Sequence, residues 1–391
     1  MKKRDPISKK VRALSPSGIR KYFDLIAGMD GIISLGVGEP DFVTPWHICE
    51  AGIWALEKGD TAYTSNYGLI ELRQEIARYL ESRYNLTYDP REELLVTVGV
   101  SEGLDLAIRA ITDPGDEIII PEPTYVSYKA CTNLAGGIDV PVPSSARDGF
   151  QMRASEIQRR ITPRTKAILL GYPNNPTGAI MEREELAKIA RLAQKHDLTV
   201  ISDEVYERLT YGVEHASIVP LPGMRNRSIL LGGFSKSYAM TGWRIGYAAS
   251  NTDIIESMMK VHQYTMLCAS VIAQRAALEA LRNGDPQVQE MVAEYDQRRR
   301  IIVKGFNDIG LICFEPRGAF YAFPSIKITG LSSDDFAEKL LKEEKVVVIP
   351  GSAFGKSGEG HVRCCYATSM DEIEEALERI GRFVKKHRAS K

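Results

Sequence analysis

The sequence predicts an α/β fold in which a mostly parallel sheet is followed by a smaller α+β unit. Three observations predict it. Short β-branched runs alternate with amphipathic helical patterns through the middle of the chain. Those runs are almost continuously apolar, as strands covered on both faces by helices are. Past residue 252 the alternation gives way to long helical patterns and then to mixed strands and helices.

The elements follow in order. Strands are expected at Leu94 to Val98, Glu117 to Ile120, Lys166 to Leu170, Leu198 to Ile201, Ser228 to Leu231 and Ile245 to Ala249. Leu104, Ile108 and Ile111 mark the apolar face of one intervening helix, and Leu186, Ile189, Ala190 and Ala193 that of another. Two long helices are expected next, from about Asp253 to Arg282 and from about Gln287 to Asn307. They are separated by the breaker Asn283-Gly284-Asp285-Pro286, which sets the domain boundary. Strands at Ala319 to Phe323, Val346 to Ile349 and Val362 to Ala367 belong to the smaller unit. Its last helix opens on the capping box Ser369-x-x-Glu372 and carries Ile373, Leu377, Ile380 and Val384 on one face. The sequence contains no internal repeat and no low-complexity linker.

Composition narrows the function. The 391 residues include 44% hydrophobic and 26% charged side chains, an ordinary globular balance, and at about 150 residues per domain the length suggests roughly two domains. With 50 Lys plus Arg against 51 Asp plus Glu, no basic field exists to hold nucleic acid. The basic start Met1-Lys2-Lys3-Arg4 is followed by no apolar run, and no stretch approaches the 18 or so uncharged residues of a membrane span, so a cytoplasmic chain is expected. Six Cys without a CxxC pair and six His without an HExxH argue for reduced thiols and no metal.

In open parallel sheets, ligands collect beyond the carboxyl ends of the strands, so the segments after each strand are read together. After Val98 comes Gly99-Val100-Ser101-Glu102-Gly103 and a helix, a turn whose free N–H groups suit a phosphate, although a plain N-cap at Ser101 would look the same. Pro121-Glu122-Pro123-Thr124-Tyr125 is a stiff turn presenting an aromatic ring, and Gly171-Tyr172-Pro173-Asn174-Asn175-Pro176-Thr177-Gly178 holds two amides in fixed directions. Ser202-Asp203-Glu204-Val205-Tyr206 offers a carboxylate and a phenol, with a helix N-cap as the bland reading of Asp203. Gly233-Phe234-Ser235-Lys236-Ser237 sets a lysine among small and aromatic residues, where desolvation lowers an amine's pKa and makes it nucleophilic. Arg244 follows. An amine, an acid, fixed donors, a flat ring and an anion clamp are together what pyridoxal phosphate needs.

At this point the chain resembles the fold-type I pyridoxal-phosphate aminotransferases of class I/II, near the aspartate and aromatic group. The likeness runs from SGIRKYFDL and SLGVGEPDF through YTSNYGLIELR, PEPTYVSY, YPNNPTG, SDEVYE and SKSYAMTGWRIGY to RGAFYAFP and HVRCCYA. It implies a seven-stranded large domain over 49–285, and a small domain of 286–391 joined by the N-terminal segment 1–48. It implies Lys236 as the amine that holds pyridoxal 5'-phosphate and moves the proton at substrate Cα, and Asp203 opposite the ring nitrogen. Asn175 and Tyr206 would donate to the ring oxygen, and Tyr125 would stack on the ring. Arg244, Ser235 and the Val100, Ser101, Glu102 turn would bind phosphate, with Tyr63 reaching in from the partner of a homodimer. Arg363, Asn175 and the backbone of Gly38 would hold the substrate carboxylate. One departure is Gly233, where many relatives carry a hydroxyl.

The expected reaction moves an amino group between an L-amino acid, aspartate or aromatic, and a 2-oxo acid such as 2-oxoglutarate, by a ping-pong sequence. KVHQYTMLCAS, SGIRK and GAFYAFPSIK also resemble N-acetyl-diaminopimelate aminotransferases, and a C–S lyase would use the same Lys and Asp. A phosphotransferase is the rival from another class, through Gly351-Ser352-Ala353-Phe354-Gly355-Lys356-Ser357. A P-loop needs four residues between its glycines, however, and this segment has three. A pyridoxal-binding regulator is opposed by the absence of a helix-turn-helix extension or basic patch before the fold.

Overall fold

A computed structural model describes residues 5–14, 18 and 30–389; the rest of the motif at 17–25 lies outside the described residues. The strands are β1 (Ile33–Ser34), β2 (Leu94–Thr97), β3 (Glu117–Glu122), β4 (Ile138–Pro143), β5 (Thr165–Gly171), β6 (Thr199–Asp203), β7 (Ser228–Gly233), β8 (Gly246–Ala249), β9 (Tyr321–Ala322), β10 (Val346–Val347), β11 (Ile349–Pro350) and β12 (Val362–Cys365). Seven of them form one sheet in the order β2-β8-β7-β6-β5-β3-β4. Only β8 runs against the others, pairing antiparallel with both β2 and β7. The carboxyl ends of β2, β3, β5, β6 and β7 therefore meet on one edge, and this places the segments singled out in the sequence side by side.

The apolar runs become strands because both sheet faces are covered. Every residue of β2 is buried, as are Ile118, Ile119 and Ile120 of β3 and Val200 and Ile201 of β6. The helix Arg183–Lys195 returns the chain from β5 to β6 and buries Leu186, Ile189, Ala190 and Ala193 against the sheet. The helix Gly99–Ile111 begins where β2 ends and buries Leu104, Ile108 and their neighbours.

Three expectations change. Strand β4 is not read from the sequence, because it is an edge strand whose residues are mostly half-buried or exposed and which includes Pro141 and Pro143. The helix expected from Asp253 to Arg282 is two helices, Thr252–Thr265 and Val271–Asn283. The interruption falls where Leu267 takes a left-handed φ of 69°, a break that the unbroken apolar pattern conceals. The expected strand Val346 to Ile349 is divided between β10, parallel to β1, and β11, antiparallel to β12. The helix Asp285–Ile309 and the capped helix Met370–His387, with Ser369 Oγ accepting from Glu372 N, form as read.

A three-stranded sheet, β11-β12-β9, lies outside the main one. Its centre, β12, carries Arg363, and its partner strand β9 carries Tyr321.

Candidate active site

A cavity of about 1350 Å³ opens at the carboxyl edge of the main sheet. It is lined by Val100, Ser101, Tyr125, Asn175, Asp203, Tyr206, Ser235, Lys236, Arg244, Gly38 and Arg363, so eleven of the thirteen residues singled out in the sequence share one space. Tyr63 and Glu102 do not line it. Tyr63 is 83% exposed. The Glu102 side chain turns inward: Oε1 lies 2.6 Å from His262 Nδ1 and Oε2 accepts from Val98 N at 2.5 Å. Only its helical turn, not its carboxylate, faces the cavity side.

Lys236 sits in the loop after β7, and its Nζ donates to Gly38 O at 2.6 Å. The rings of Tyr206 and Phe320 lie 5.9 and 5.7 Å from the amine. Burial drives its pKa down from the ordinary lysine value to about 8, and the nearby Arg363 and Arg244 charges push the same way. A half-buried amine that sheds its proton near neutrality is a nucleophile and a base.

Asp203 ends β6 and is buried. Its Oδ2 accepts from Tyr128 Oη at 2.9 Å and its Oδ1 from Val205 N at 3.2 Å. Burial lifts its pKa to about 6, with the Tyr128 and Val205 hydrogen bonds opposing the rise. The N-cap reading of Asp203 survives only as this local turn to Val205.

Arg363 is almost fully buried between the rings of Tyr321 and Phe354, 4.6 and 5.0 Å from its guanidinium carbon. One Nη donates to Asn175 Oδ1 at 3.0 Å and the other to Gly36 O at 2.6 Å. Its Nε has no partner among the described residues, a buried donor left for a ligand. Because the Asn175 oxygen is taken by Arg363, its amide N–H groups are the ones left to donate elsewhere. The Tyr206 hydroxyl lies 2.7 Å from that of Tyr321.

At the anion end, Gly99 has φ 73°, and a Cβ there would sit 2.7 Å from Arg244 Nη2. The guanidinium is thus pressed against the first turn of the helix Gly99–Ile111, whose N–H groups have no acceptor within the helix. Arg244 itself holds a left-handed φ of 53° and donates to Thr241 O at 2.9 Å. The departure at Gly233 has a packing reason, since a Cβ there would meet Val100 Cγ2 at 2.7 Å.

Sequence reasoning did not single out Tyr128, Tyr321 or Phe354. Tyr128 and Tyr321 lie inside quoted motifs, PEPTYVSY and RGAFYAFP, but their partners are 75 and 115 residues away. The segment 351–357 that imitates a P-loop is two short 3₁₀ turns. The Glu122 carboxylate fills its concavity, accepting from Ser357 N at 3.0 Å and Oγ at 2.7 Å, and so excludes a phosphate. No group of three metal-ligating side chains occurs among the described residues, and no helix there is long and apolar enough to cross a membrane.

Residues 30–380 match the family described as aminotransferase class I and II. A Bacillus subtilis (strain 168) protein designated YugH is 54% identical over 97% of this chain and 98% of its own length. An aspartate aminotransferase of Pyrococcus abyssi is 46% identical over 97% of this chain and 98% of its own. The crystal structure of an aromatic aminotransferase from Pyrococcus horikoshii superposes with a TM-score of 0.90 at 44% identity, covering 94% of this chain and 99% of the other.

Proposed function

The chain belongs to the class I and II aminotransferases, and from that premise we propose that its cavity takes pyridoxal 5'-phosphate and an aspartate-type or aromatic L-amino acid, with 2-oxoglutarate as amino acceptor. One observation carries this reading. A half-buried amine of lowered pKa, a buried carboxylate and a buried arginine whose Nε has no partner among the described residues face a single cavity. The residues present fit the cofactor: Arg244 and the N–H groups of Gly99 to Ser101 form an anion cradle, and the Ser235 hydroxyl lines the same cavity.

When bound, pyridoxal phosphate supplies an aldehyde for covalent capture of an amine and a protonated ring that accepts the electrons released at the substrate's Cα. The chain's own groups do the rest. Lys236 Nζ would hold the aldehyde and, once free, would carry the proton from the substrate's Cα to the carbon that bore the aldehyde, with the reverse path in the other half-reaction. The Asp203 carboxylate keeps a proton on the ring nitrogen, a task suited to a buried acid with room for one more donor. Asn175 and Tyr206 donate to the ring oxygen. Arg363, held flat between two rings, receives the substrate carboxylate through Nε, beside the Gly38 backbone. Tyr125 covers one ring face.

The same reading makes the enzyme a homodimer with Tyr63 of one protomer serving the site of the other. Exposed apolar side chains support it: Val43, Trp46, Trp54 and Tyr63 project from one stretch, and Tyr264, Met266 and Leu267 from the end of the helix Thr252–Thr265 and the loop before the helix Val271–Asn283, on which Trp46–Glu57 packs. A division into 49–285 and 286–391, with 1–48 joining the latter, is supported by the pairing of β1 with β10.

The test is reduction with borohydride in the presence of pyridoxal 5'-phosphate. The label should appear on the peptide containing Lys236 and vanish in Lys236→Ala together with turnover; a label elsewhere, or normal turnover in the variant, overturns the assignment. Half-reactions with aspartate, phenylalanine and N-acetyl-diaminopimelate then rank the donors, and oxo-acid release without an acceptor would mark a lyase instead.

A further inference from the structure

The helix Gly99–Ile111 starts at Val98, a residue with no side-chain group able to cap it. Glu102 takes that role from inside the helix, its Oε2 accepting from Val98 N at 2.5 Å. Its other oxygen lies 2.6 Å from Nδ1 of His262, a fully buried residue on the neighbouring helix Thr252–Thr265. A carboxylate can only accept, so Nδ1 carries the hydrogen. Nε2 is buried with no partner among the described residues, so Glu102 is the ring's sole side-chain tether there.

The arrangement answers a physical problem. A carboxylate in the first turns of a helix is itself an anion, attracted to the same N–H groups that would hold a phosphate. Left free, Glu102 would compete for the Gly99 to Ser101 N–H groups. With one oxygen fixed by Val98 N–H and the other by His262, it is kept off the cavity wall that Val100, Ser101 and Arg244 line.

We propose that His262 is a positioning residue for the cofactor's phosphate, acting through Glu102 to keep that carboxylate out of the anion cradle. The inference rests on the pyridoxal-phosphate reading above. Its test compares equilibrium binding of pyridoxal 5'-phosphate and of pyridoxal, which lacks the phosphate, to the cofactor-free full-length chain. Attachment at Lys236 is common to both ligands and cancels in the ratio.

In His262→Leu, which fills the space but donates nothing, the preference for the phosphorylated form should fall about tenfold, the scale of one hydrogen bond to a charged group. Pyridoxal binding should stay unchanged. His262→Asn, whose amide can stand in for Nδ1–H, should recover the preference to within about threefold. A His262→Leu chain that keeps the full preference, or loses both ligands equally, overturns the inference. Glu102→Ala is the second variant, needed if His262→Leu does not fold. Loss of the competing anion there should leave phosphate preference intact or higher, and a tenfold loss would show that Glu102 serves only as a cap. A native chain with no preference for the phosphorylated form overturns the cofactor reading itself.

Discussion

Asp203 and Glu204 are consecutive carboxylates at the end of β6, both buried, yet their proton affinities move in opposite directions. Glu204 points to the side away from the cavity. Its Oε1 accepts from Ser202 Oγ at 2.8 Å and Ser217 Oγ at 2.5 Å, and its Oε2 lies 3.0 Å from His215 Nε2. Burial alone would raise its pKa, but His215 and the two serines bring it below the ordinary value. Asp203 has only Tyr128 and the longer bond from Val205, and burial prevails, lifting its pKa to about 6. The difference separates two uses of a buried acid. A carboxylate held by three side chains, one of them a histidine, ties structure together, whereas one with two donors and spare acceptor capacity facing a cavity waits for a ligand donor.

The most severe break of this comparison is Asp203→Asn. A neutral amide cannot keep the ring nitrogen protonated, so kcat/KM should fall about a thousandfold while the chain stays folded. Steady-state kinetics together with a melting curve check both halves. Glu204→Gln should do the reverse, costing about 2–3 kcal/mol of stability by loosening the His215 and serine contacts, with activity at low temperature kept within about threefold. Denaturant titration measures the first quantity. A catalytic collapse without loss of stability would show that the two acids are not divided in this way.

Acid titration sharpens the contrast. Asp203 has a raised pKa, so its contribution to stability is present when it is protonated and is lost as pH rises from the ordinary value of 3.8 through about 6. Glu204 has a lowered pKa, so its contribution is present above the ordinary value of 4.5 and is lost as pH falls. In the cofactor-free chain, Asp203→Asn should remove the first loss. Its stability relative to the native chain should therefore gain up to about 3 kcal/mol between about pH 4 and pH 7. Unfolding at a series of pH values reads this directly, and a flat difference would refute it.

The contrast also explains what could be read from the sequence. The sheet was legible because its inner strands are apolar on both faces, whereas β4 escaped because its half-exposed residues and two prolines imitate a loop. Asp203 and Lys236 were legible because each follows a strand at an edge where parallel topology gathers ligand groups. The direction of the Glu102 carboxylate was not legible, because sequence gives its turn but not the partner of its side chain, His262, 160 residues away. Tyr128 was silent for a similar reason. In PEPTYVSY it stands three residues after Tyr125, and nothing local marks it as the partner of a strand end 75 residues on.

Tyr128 gives the smallest and most discriminating prediction. Its hydroxyl reaches Asp203 only because residue 171 is glycine; a Cβ there would come within 2.1 Å of that oxygen. Its ring also meets Tyr125 edge-on at 5.8 Å, so packing and hydrogen bonding are both at stake. Tyr128→Phe keeps the ring and its packing and removes only the donor. The Asp203 carboxylate then loses a hydrogen bond that opposes its raised pKa, and its midpoint should move above about 6. Cofactor binding that needs the ionised acid should weaken about tenfold near that pH and recover as the pH rises past the new midpoint. In an Asp203→Asn background, where no charge remains to be stabilised, the same substitution should change binding by less than about twofold. Binding curves across pH for the four chains decide it. Equal losses in both backgrounds would mean that Tyr128 acts through packing alone, and that the spare capacity of Asp203 is set by burial without help from its one side-chain donor.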